Sequence, residues 1–261
     1  MKNNYNFDYN KEDCFEEIIS CIKNNGFVIL ENFLSTNFVK NLHEKTFNIY
    51  NNNGITNKLR DIHTFSDGTI SSLHNLFDYL PYFHNVLEFE NVKKLSYSFF
   101  EETSNLKINS SYFAKPAKIG VETKPHQDNA FFCIEPSDVL TFWFPVEYSG
   151  LKNGPLYYYP GSNNLGNLKH EPLGNLGTSM TLSSEELAKL TKEIEPHYAE
   201  LSVGGCIIHN GLVVHGSDEN TSEKSRNAFN FSIFGIKAKK NIELHNLYKK
   251  NLEVYLLKNK K

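Results

Sequence analysis

The sequence predicts a mainly β fold with flanking helices, and three observations carry that prediction. Between about residues 105 and 236, short β-branched and aromatic runs follow one another, divided by Gly, Pro and Asn. Ahead of them (11–102) and after them (242–257), apolar residues recur at helical spacing. The 261 residues include 20 Phe and 14 Tyr, with 39% hydrophobic content, which supports one large core and excludes a disordered chain. Closely spaced short strands that do not alternate with helices point to an antiparallel sandwich or barrel.

Taken in order, residues 11–25 read as an amphipathic helix with Phe15, Ile18, Ile19 and Ile22 on one face and Gly26 as its stop. Gly26-Phe-Val-Ile-Leu30 is a short apolar strand, and Ser35 can cap a second helix that buries Phe38, Val39 and Leu42. Asn51-Asn-Asn-Gly54 is a loop, 55–75 is polar without a clear period, and 76–102 is helix in pieces, interrupted at Pro81. Strands are expected at 107–114, 119–123, 130–134, 138–147, 155–159, 204–209, 212–215 and 227–236. An insert at 161–200 interrupts them. Gly161, Gly166, Gly174 and Gly177 loosen its start, and Ser183-Ser-Glu-Glu-Leu-Ala-Lys-Leu gives it a helix. Such a segment is expected to form a mobile lid over a site. The tail 242–257 reads as a helix with Leu244, Leu247, Tyr248 and Tyr255 inward. Without a repeat or a clear linker, residues 1–261 read as a single domain.

Charge narrows the function. There are 27 Lys and Arg against 30 Asp and Glu, a formal net charge of −3, where a nucleic-acid binder would show a basic excess. No stretch approaches the roughly 20 apolar residues of a membrane span, and the N-terminus lacks the apolar core of a signal peptide. Cys14, Cys21, Cys133 and Cys206 form no C-x-x-C pair and read as free thiols in a reducing compartment. The expectation is a cytoplasmic monomer or homodimer acting on a small molecule.

The chemistry centres on the histidines. His43, His63, His74, His84, His170, His197 and His245 read as surface or capping residues. In His126-Gln-Asp128, positions i and i+2 of a strand project to one face, so an imidazole and a carboxylate can meet. Two His and one carboxylate on one side of a metal make the facial triad of non-haem Fe(II) oxygenases, although zinc accepts the same donors. For the second His, His209 and His215 compete within Ile207-Ile-His-Asn-Gly-Leu-Val-Val-His215-Gly-Ser217. His215 ends an apolar strand and is the better candidate, with His209 a core or supporting histidine. Arg226, at the start of the next strand, can return by a polar turn towards the metal, where a guanidinium fork would hold a carboxylate.

His126-Gln-Asp128, Asn153-Gly-Pro-Leu-Tyr-Tyr-Tyr-Pro-Gly-Ser162, His215-Gly-Ser-Asp-Glu-Asn220 with Arg226, and the opening Asn25-Gly-Phe-Val-Ile-Leu-Glu-Asn-Phe-Leu-Ser35 resemble the phytanoyl-CoA dioxygenase family. The resemblance covers about residues 12–236. It implies a double-stranded β-helix (a cupin-like jelly roll), Fe(II), 2-oxoglutarate as co-substrate and O2. By the resemblance His126, Asp128 and His215 are the iron ligands, and Arg226 holds the distal carboxylate of 2-oxoglutarate with Ser217 as a second donor. Trp143 matches an aromatic position lining the co-substrate pocket, and Asn109 a position where some members carry an amide that orients the co-substrate. Gln127 and Asn129 flank the ligands and are expected to face substrate. The implied reaction is oxidative decarboxylation of 2-oxoglutarate to succinate and CO2, coupled to hydroxylation or desaturation; the Asp128 carboxylate argues against halogenation. A catalytically silent jelly roll and a peptide or protein hydroxylase are the competing readings.

Overall fold

A computed structural model describes residues 4–11, 14–51, 62–101, 107–175 and 178–258. Its first half sets helices against one end of a sheet. Strand β1 (Asn6–Asp8) runs parallel to β2 (Phe27–Glu31), with α1 (Phe15–Asn25) between them. Helix α1 buries Ile18, Cys21 and Ile22 and stops at Gly26, whose φ of 85° gives the left-handed turn a glycine tolerates best. Ser35 stands immediately before α2 (Thr36–Asn51), which buries Phe38, Val39 and Leu42. The loop expected at 51–54 lies outside the described residues beyond Asn51.

Part of the polar stretch 55–75 forms strands, which the sequence did not suggest. β3 (Ile62–Thr64) and β4 (Ile70–His74) pair with each other, and β4 continues onto β5 (Lys107–Phe113). Their serines and histidines hid the strand pattern. The expected broken helix follows as α3 (Leu76–Tyr79), a 3-10 segment at Pro81–Glu88, and α4 (Glu90–Phe100). Pro81 opens the 3-10 segment, where its missing N–H costs nothing.

The remaining strands complete the major sheet, form a minor sheet that faces it, and make two separate two-stranded pairs. They are β6 (Thr123–His126), β7 (Ile134–Glu135), β8 (Val139–Pro145), β9 (Leu156–Tyr158), β10 (His170–Asn175), β11 (Thr178–Leu182), β12 (His197–Tyr198), β13 (Cys206–Asn210), β14 (His215–Ser217), β15 (Ala228–Phe234) and β16 (Lys239–Lys240). The major sheet has eight strands in the order β1-β2-β13-β8-β15-β5-β4-β3, and the minor sheet four, in the order β12-β9-β14-β6. Alternation assigns the faces of the major sheet. Phe142, Phe144, Phe229 and Phe231 point to one side and are fully buried. Phe142 and Phe231 lie directly opposite and stack at 4.7 Å, while Phe83 of the 3-10 segment packs edge-on against Phe229 at 5.7 Å. Thr141, Trp143, Asn230 and Ser232 alternate with them and face the other way. Phe27 of β2 stacks on Tyr158 of β9 at 4.4 Å and ties one sheet to the other.

Several expected strands move. At 119–123 only Thr123 is strand; Gly120 makes an isolated bridge to Asn220. Residues 130–134 curl instead into the single turn α5 (Asn129–Phe132), followed by β7. That turn sets Phe131 against the His126 ring and Phe132 against Phe234, contacts an extended chain would not make together. Strand β14 begins at His215 rather than 212, because Asn210 Oδ1 accepts from the N–H groups of Leu212 and Val213 and holds a turn there. The insert 161–200 holds a β10–β11 hairpin as well as the expected helix α6 (Ser184–Glu193), whose cap Ser183 accepts from Glu186 N at 3.3 Å. In α7 (Ile242–Lys258), Tyr248 packs on Phe131, but Leu247 is 55% exposed rather than inward; the Tyr255 side chain is outside the described set.

The stacked aromatic layer sets an expected stability loss. Phe231→Ala should lower the unfolding free energy by about 3–5 kcal/mol in urea titration at unchanged m-value. A loss below about 1 kcal/mol would contradict its fully buried packing.

Candidate active site

Strand pairing builds the centre of the site. His126 ends β6 and His215 opens β14, and the antiparallel register sets them directly opposite, with rings 4.4 Å apart. Strand β6 is an edge strand, which is why it tolerates Pro125. Asp128 follows where the chain leaves the sheet for α5, and its Oδ1 lies 3.7 Å from Nε2 of each histidine. The three donor atoms lie within 4.8 Å of one another.

Hydrogen bonds behind these atoms aim them. His126 Nδ1 meets the Lys124 carbonyl at 2.8 Å, and His215 Nδ1 meets the Val213 carbonyl at 3.1 Å. A carbonyl only accepts, so both Nδ1 atoms carry the proton and both Nε2 lone pairs face Asp128. Asp128 Oδ2 accepts from Thr141 Oγ1 and His209 Nε2, each at 3.1 Å. With Nε2 donating, His209 Nδ1 accepts from the Tyr158 hydroxyl at 3.0 Å. Oδ2 is thereby occupied, and Oδ1 is left to the two histidines. Burial works against the Asp128 carboxylate, but the hydrogen bond from His209 and the surrounding histidines, which are positive once protonated in acid, hold its pKa well below the usual range. Burial, then the neighbouring His126 and His209, push His215 well below the ordinary histidine value, so it is neutral. Two lone pairs and a carboxylate oxygen facing one another across a gap suit a bound cation.

A cavity of ≈ 160 Å³ opens from these donors. On its inner side Arg226 is 3% exposed, donates from Nε and Nη2 to the Gly154 carbonyl at 3.0 and 2.8 Å, and lies 5.3 Å from the Trp143 ring centre. Burial pushes its pKa down to about 10, with Glu147 opposing the shift, so the guanidinium is charged at neutral pH. Ser217, two residues beyond His215 on β14, is buried beside it and contacts Lys115 Nζ at 2.7 Å. Phe65, Ser71, Phe113, Val121 and Glu122 line the cavity as well, as do Asn230 and His209.

Three expected residues stand elsewhere. Gln127 is buried and donates to the carbonyls of Gly166 and Leu212, while its own amide oxygen accepts from Leu168 N. Asn129 is buried and bonded to Asn167 and Ile134. Asn109 accepts from the Ser110 N–H at 2.8 Å and is not among the cavity-lining residues, whereas Asn230 is. Gln127 and Asn129 therefore anchor the start of the insert to the ligand loop, and the Thr181 hydroxyl adds a bond to the Pro125 carbonyl. The insert lies against the back of the site, and among the described residues none of the insert lines the cavity.

Sequence reasoning missed Lys115, Thr141, Tyr158 and Asn230, whose positions depend on pairings between distant strands. It also placed His170 at the surface. His170 Nδ1 donates to the Leu168 carbonyl and Nε2 accepts from the Gln127 N–H at 3.0 Å, between the ligands His126 and Asp128. Burial pushes its pKa down to about 4. Between about pH 6.5 and 4 the unfolded chain therefore binds the extra proton, so the stability from neutral His170 is complete above that window and lost as pH falls through it. Metal-free protein should lose stability over this range, by at most about 1.4 kcal/mol per pH unit from this group. His170→Gln should flatten the slope in urea unfolding; an unchanged slope would exclude His170 as a source.

Comparison with known proteins agrees with this architecture. A family model described as Phytanoyl-CoA dioxygenase (PhyH) matches residues 22–228. Phytanoyl-CoA dioxygenase domain-containing protein 1 of Bos taurus is 32% identical over 130 residues, 48% of this chain and 44% of the relative. Phytanoyl-CoA dioxygenase of Arabidopsis thaliana is 32% identical over 126 residues, 48% and 43% of the two chains. The match thus spans less than half the length of either curated relative. Among solved structures, EctD from S. alaskensis with bound Fe superposes with a TM-score of 0.73 at 17% identity, covering 92% of this chain and 84% of its own. The epimerase SnoN, solved with Fe3+, alpha ketoglutarate and nogalamycin RO, gives 0.70 at 14% identity over 88% and 87%. These two establish the jelly-roll fold. On the family match over most of its length, the chain belongs to the phytanoyl-CoA dioxygenase family.

Proposed function

We propose that this chain is an Fe(II)- and 2-oxoglutarate-dependent dioxygenase that hydroxylates or desaturates a small-molecule metabolite or natural-product intermediate, releasing succinate and CO2. The observation that carries this reading is the convergence of His126 Nε2, Asp128 Oδ1 and His215 Nε2 on one point at the end of a cavity. These three would hold the iron. Bound there, iron supplies the redox chemistry for decarboxylating the co-substrate and oxidising the substrate.

The chain's own groups do the rest. Arg226 spends Nε and Nη2 on Gly154, which leaves Nη1 to grip the distal carboxylate of 2-oxoglutarate, with Ser217 as a second donor. Trp143 covers the guanidinium face and shields that contact from water. Phe65, Phe113 and Val121 offer a substrate an apolar wall that keeps water from the reacting centre, with Glu122 as a polar contact. His209 and Thr141 keep Asp128 turned to the metal. The relatives named as dioxygenases, and the EctD structure containing 2-oxoglutarate, support the same reading. No helix among the described residues is long and apolar enough to cross a membrane. The four unpaired cysteines support a reducing compartment such as the cytoplasm.

Anaerobic titration of metal-free protein with Fe(II) and then 2-oxoglutarate tests the proposal. A visible charge-transfer absorption is expected, followed by succinate formation in a substrate screen. Iron binding without that absorption would favour a silent ligand-binding jelly roll. His126→Ala and His215→Ala should lose iron, whereas His209→Ala should keep it with affinity lowered about 10- to 100-fold. Arg226→Ala should leave iron affinity unchanged and weaken 2-oxoglutarate by about 2–5 kcal/mol. An unchanged 2-oxoglutarate requirement would remove Arg226 from that subsite.

A further inference from the structure

Lys115 is a buried ionisable side chain to which the reaction outlined above gives no task. It follows β5, is 6% exposed, and lines the same cavity as Arg226 and Ser217. Its Nζ contacts Ser217 Oγ at 2.7 Å and donates to the Asp218 carbonyl. Its backbone carbonyl accepts from the Arg226 N–H and from Asn220 Nδ2, each at 2.9 Å. One residue thus holds the Ser217 hydroxyl and the backbone of Arg226, the two residues assigned to the distal carboxylate.

The surroundings are shaped to that side chain. A Cβ on Gly120 would sit 2.3 Å from Lys115 Cγ, and a Cβ on Gly154 would sit 2.6 Å from Lys115 Cδ. Gly154 also has a φ of +77°, so a side chain there would be strained as well as obstructed. These two bare positions form the slot through which the lysine stem reaches Ser217.

We propose that Lys115 is a positioning residue for the co-substrate: by donating to Ser217 Oγ it turns the Ser217 hydroxyl proton towards the distal carboxylate beside Arg226. The inference rests on the 2-oxoglutarate reading of this cavity. A serine hydroxyl has one proton and two lone pairs. With the lysine on a lone pair, the proton is free for an acceptor in the cavity, and a carboxylate is an acceptor only.

Charge adds a second consequence. In the empty cavity, burial and then the Arg226 guanidinium push Lys115 down to about 6, while Asp218, Glu122 and Glu219 pull the other way. A carboxylate arriving at Ser217 favours the ammonium, so co-substrate binding at neutral pH draws a proton from solvent onto Nζ. A 2-oxo acid without a second carboxylate does neither.

The test is anaerobic calorimetry on the Fe(II)-loaded full chain at pH 7, in two buffers of different ionisation enthalpy. The ligands are 2-oxoglutarate and 2-oxobutyrate, which lacks the distal carboxylate. Lys115→Met should weaken 2-oxoglutarate roughly 10- to 100-fold and leave 2-oxobutyrate unchanged. It should also abolish the proton uptake seen with the native chain. Ser217→Ala should weaken 2-oxoglutarate too, and the double variant should lose less than the sum of the two. Unchanged 2-oxoglutarate binding in Lys115→Met, equal weakening of both acids, or full additivity would overturn the inference. Should Lys115→Met not fold, the decision falls to native proton uptake and to Ser217→Ala, and absence of either effect overturns it. A native chain that binds 2-oxoglutarate no better than 2-oxobutyrate overturns the co-substrate reading itself.

Discussion

The antiparallel pairing of β6 with β14 is the constraint on which the site depends. It places His126 opposite His215 although 89 positions separate them in the chain (215 less 126). Each imidazole is then fixed by a carbonyl two residues before it, in β6 for His126 and in the turn ahead of β14 for His215, so the backbone leading into each histidine also sets its tautomer. Asp128 completes the set from the turn beyond β6. A carboxylate facing two imidazole lone pairs is unfavourable unless its charge is met elsewhere; a buried, unpaired ion costs several kcal/mol. His209 and Thr141 meet that demand from β13 and β8 of the opposite sheet. The centre is thus held between the sheets, each supplying what the other lacks.

This arrangement needs a sheet with two chemically different faces. Phe144, Phe229 and Phe231, with Phe142 stacked on Phe231, bind the major sheet to the helical layer through Phe83, whereas Trp143 and Asn230 on the other face line the cavity and Thr141 and Ser232 there bond each other. The aromatic layer provides rigidity and lets the facing layer remain polar. On the polar side the Tyr158–His209–Asp128 chain of hydrogen bonds keeps the carboxylate oriented.

The side chains between and after the ligands have a different task from the one their position suggests. Gln127 and Asn129 are spent on the insert, and His170 of the insert returns a bond to the Gln127 N–H. The insert therefore braces the back of the ligand loop. The cavity wall comes instead from β4, the β3–β4 turn and the segment before β6, through Ser71, Phe65 and Val121. The polar composition of 70–75 belongs to that location: Ser72 and His74 sit on a sheet face beside the cavity, where His74 bonds both Ser72 and Ser111.

Periodicity and composition by themselves determined much of this protein. The apolar spacing of α1, α2 and the pieces around Pro81 was legible because one face of each packs on a core, and period 3.6 records that directly. Strands β5, β8, β13 and β15 were legible because alternating or continuous apolar runs are what paired, buried strands require. His126-Gln-Asp128 and the His215-Gly-Ser segment were legible as local patterns, as was Arg226. Tertiary structure decided what local pattern does not contain. Whether 130–134 is extended or curled depends on Phe131 finding the His126 ring. Whether His209 supports or ligates depends on β13 lying beside β8, which brings it to Asp128 Oδ2 rather than to the open side. Lys115 acquires its setting only where Gly120, from the turn that follows it, and Gly154, from a distant turn, leave room for its stem. A single chain position specifies its own backbone preference and face, but a site made by partners from distant strands exists only once those strands are paired.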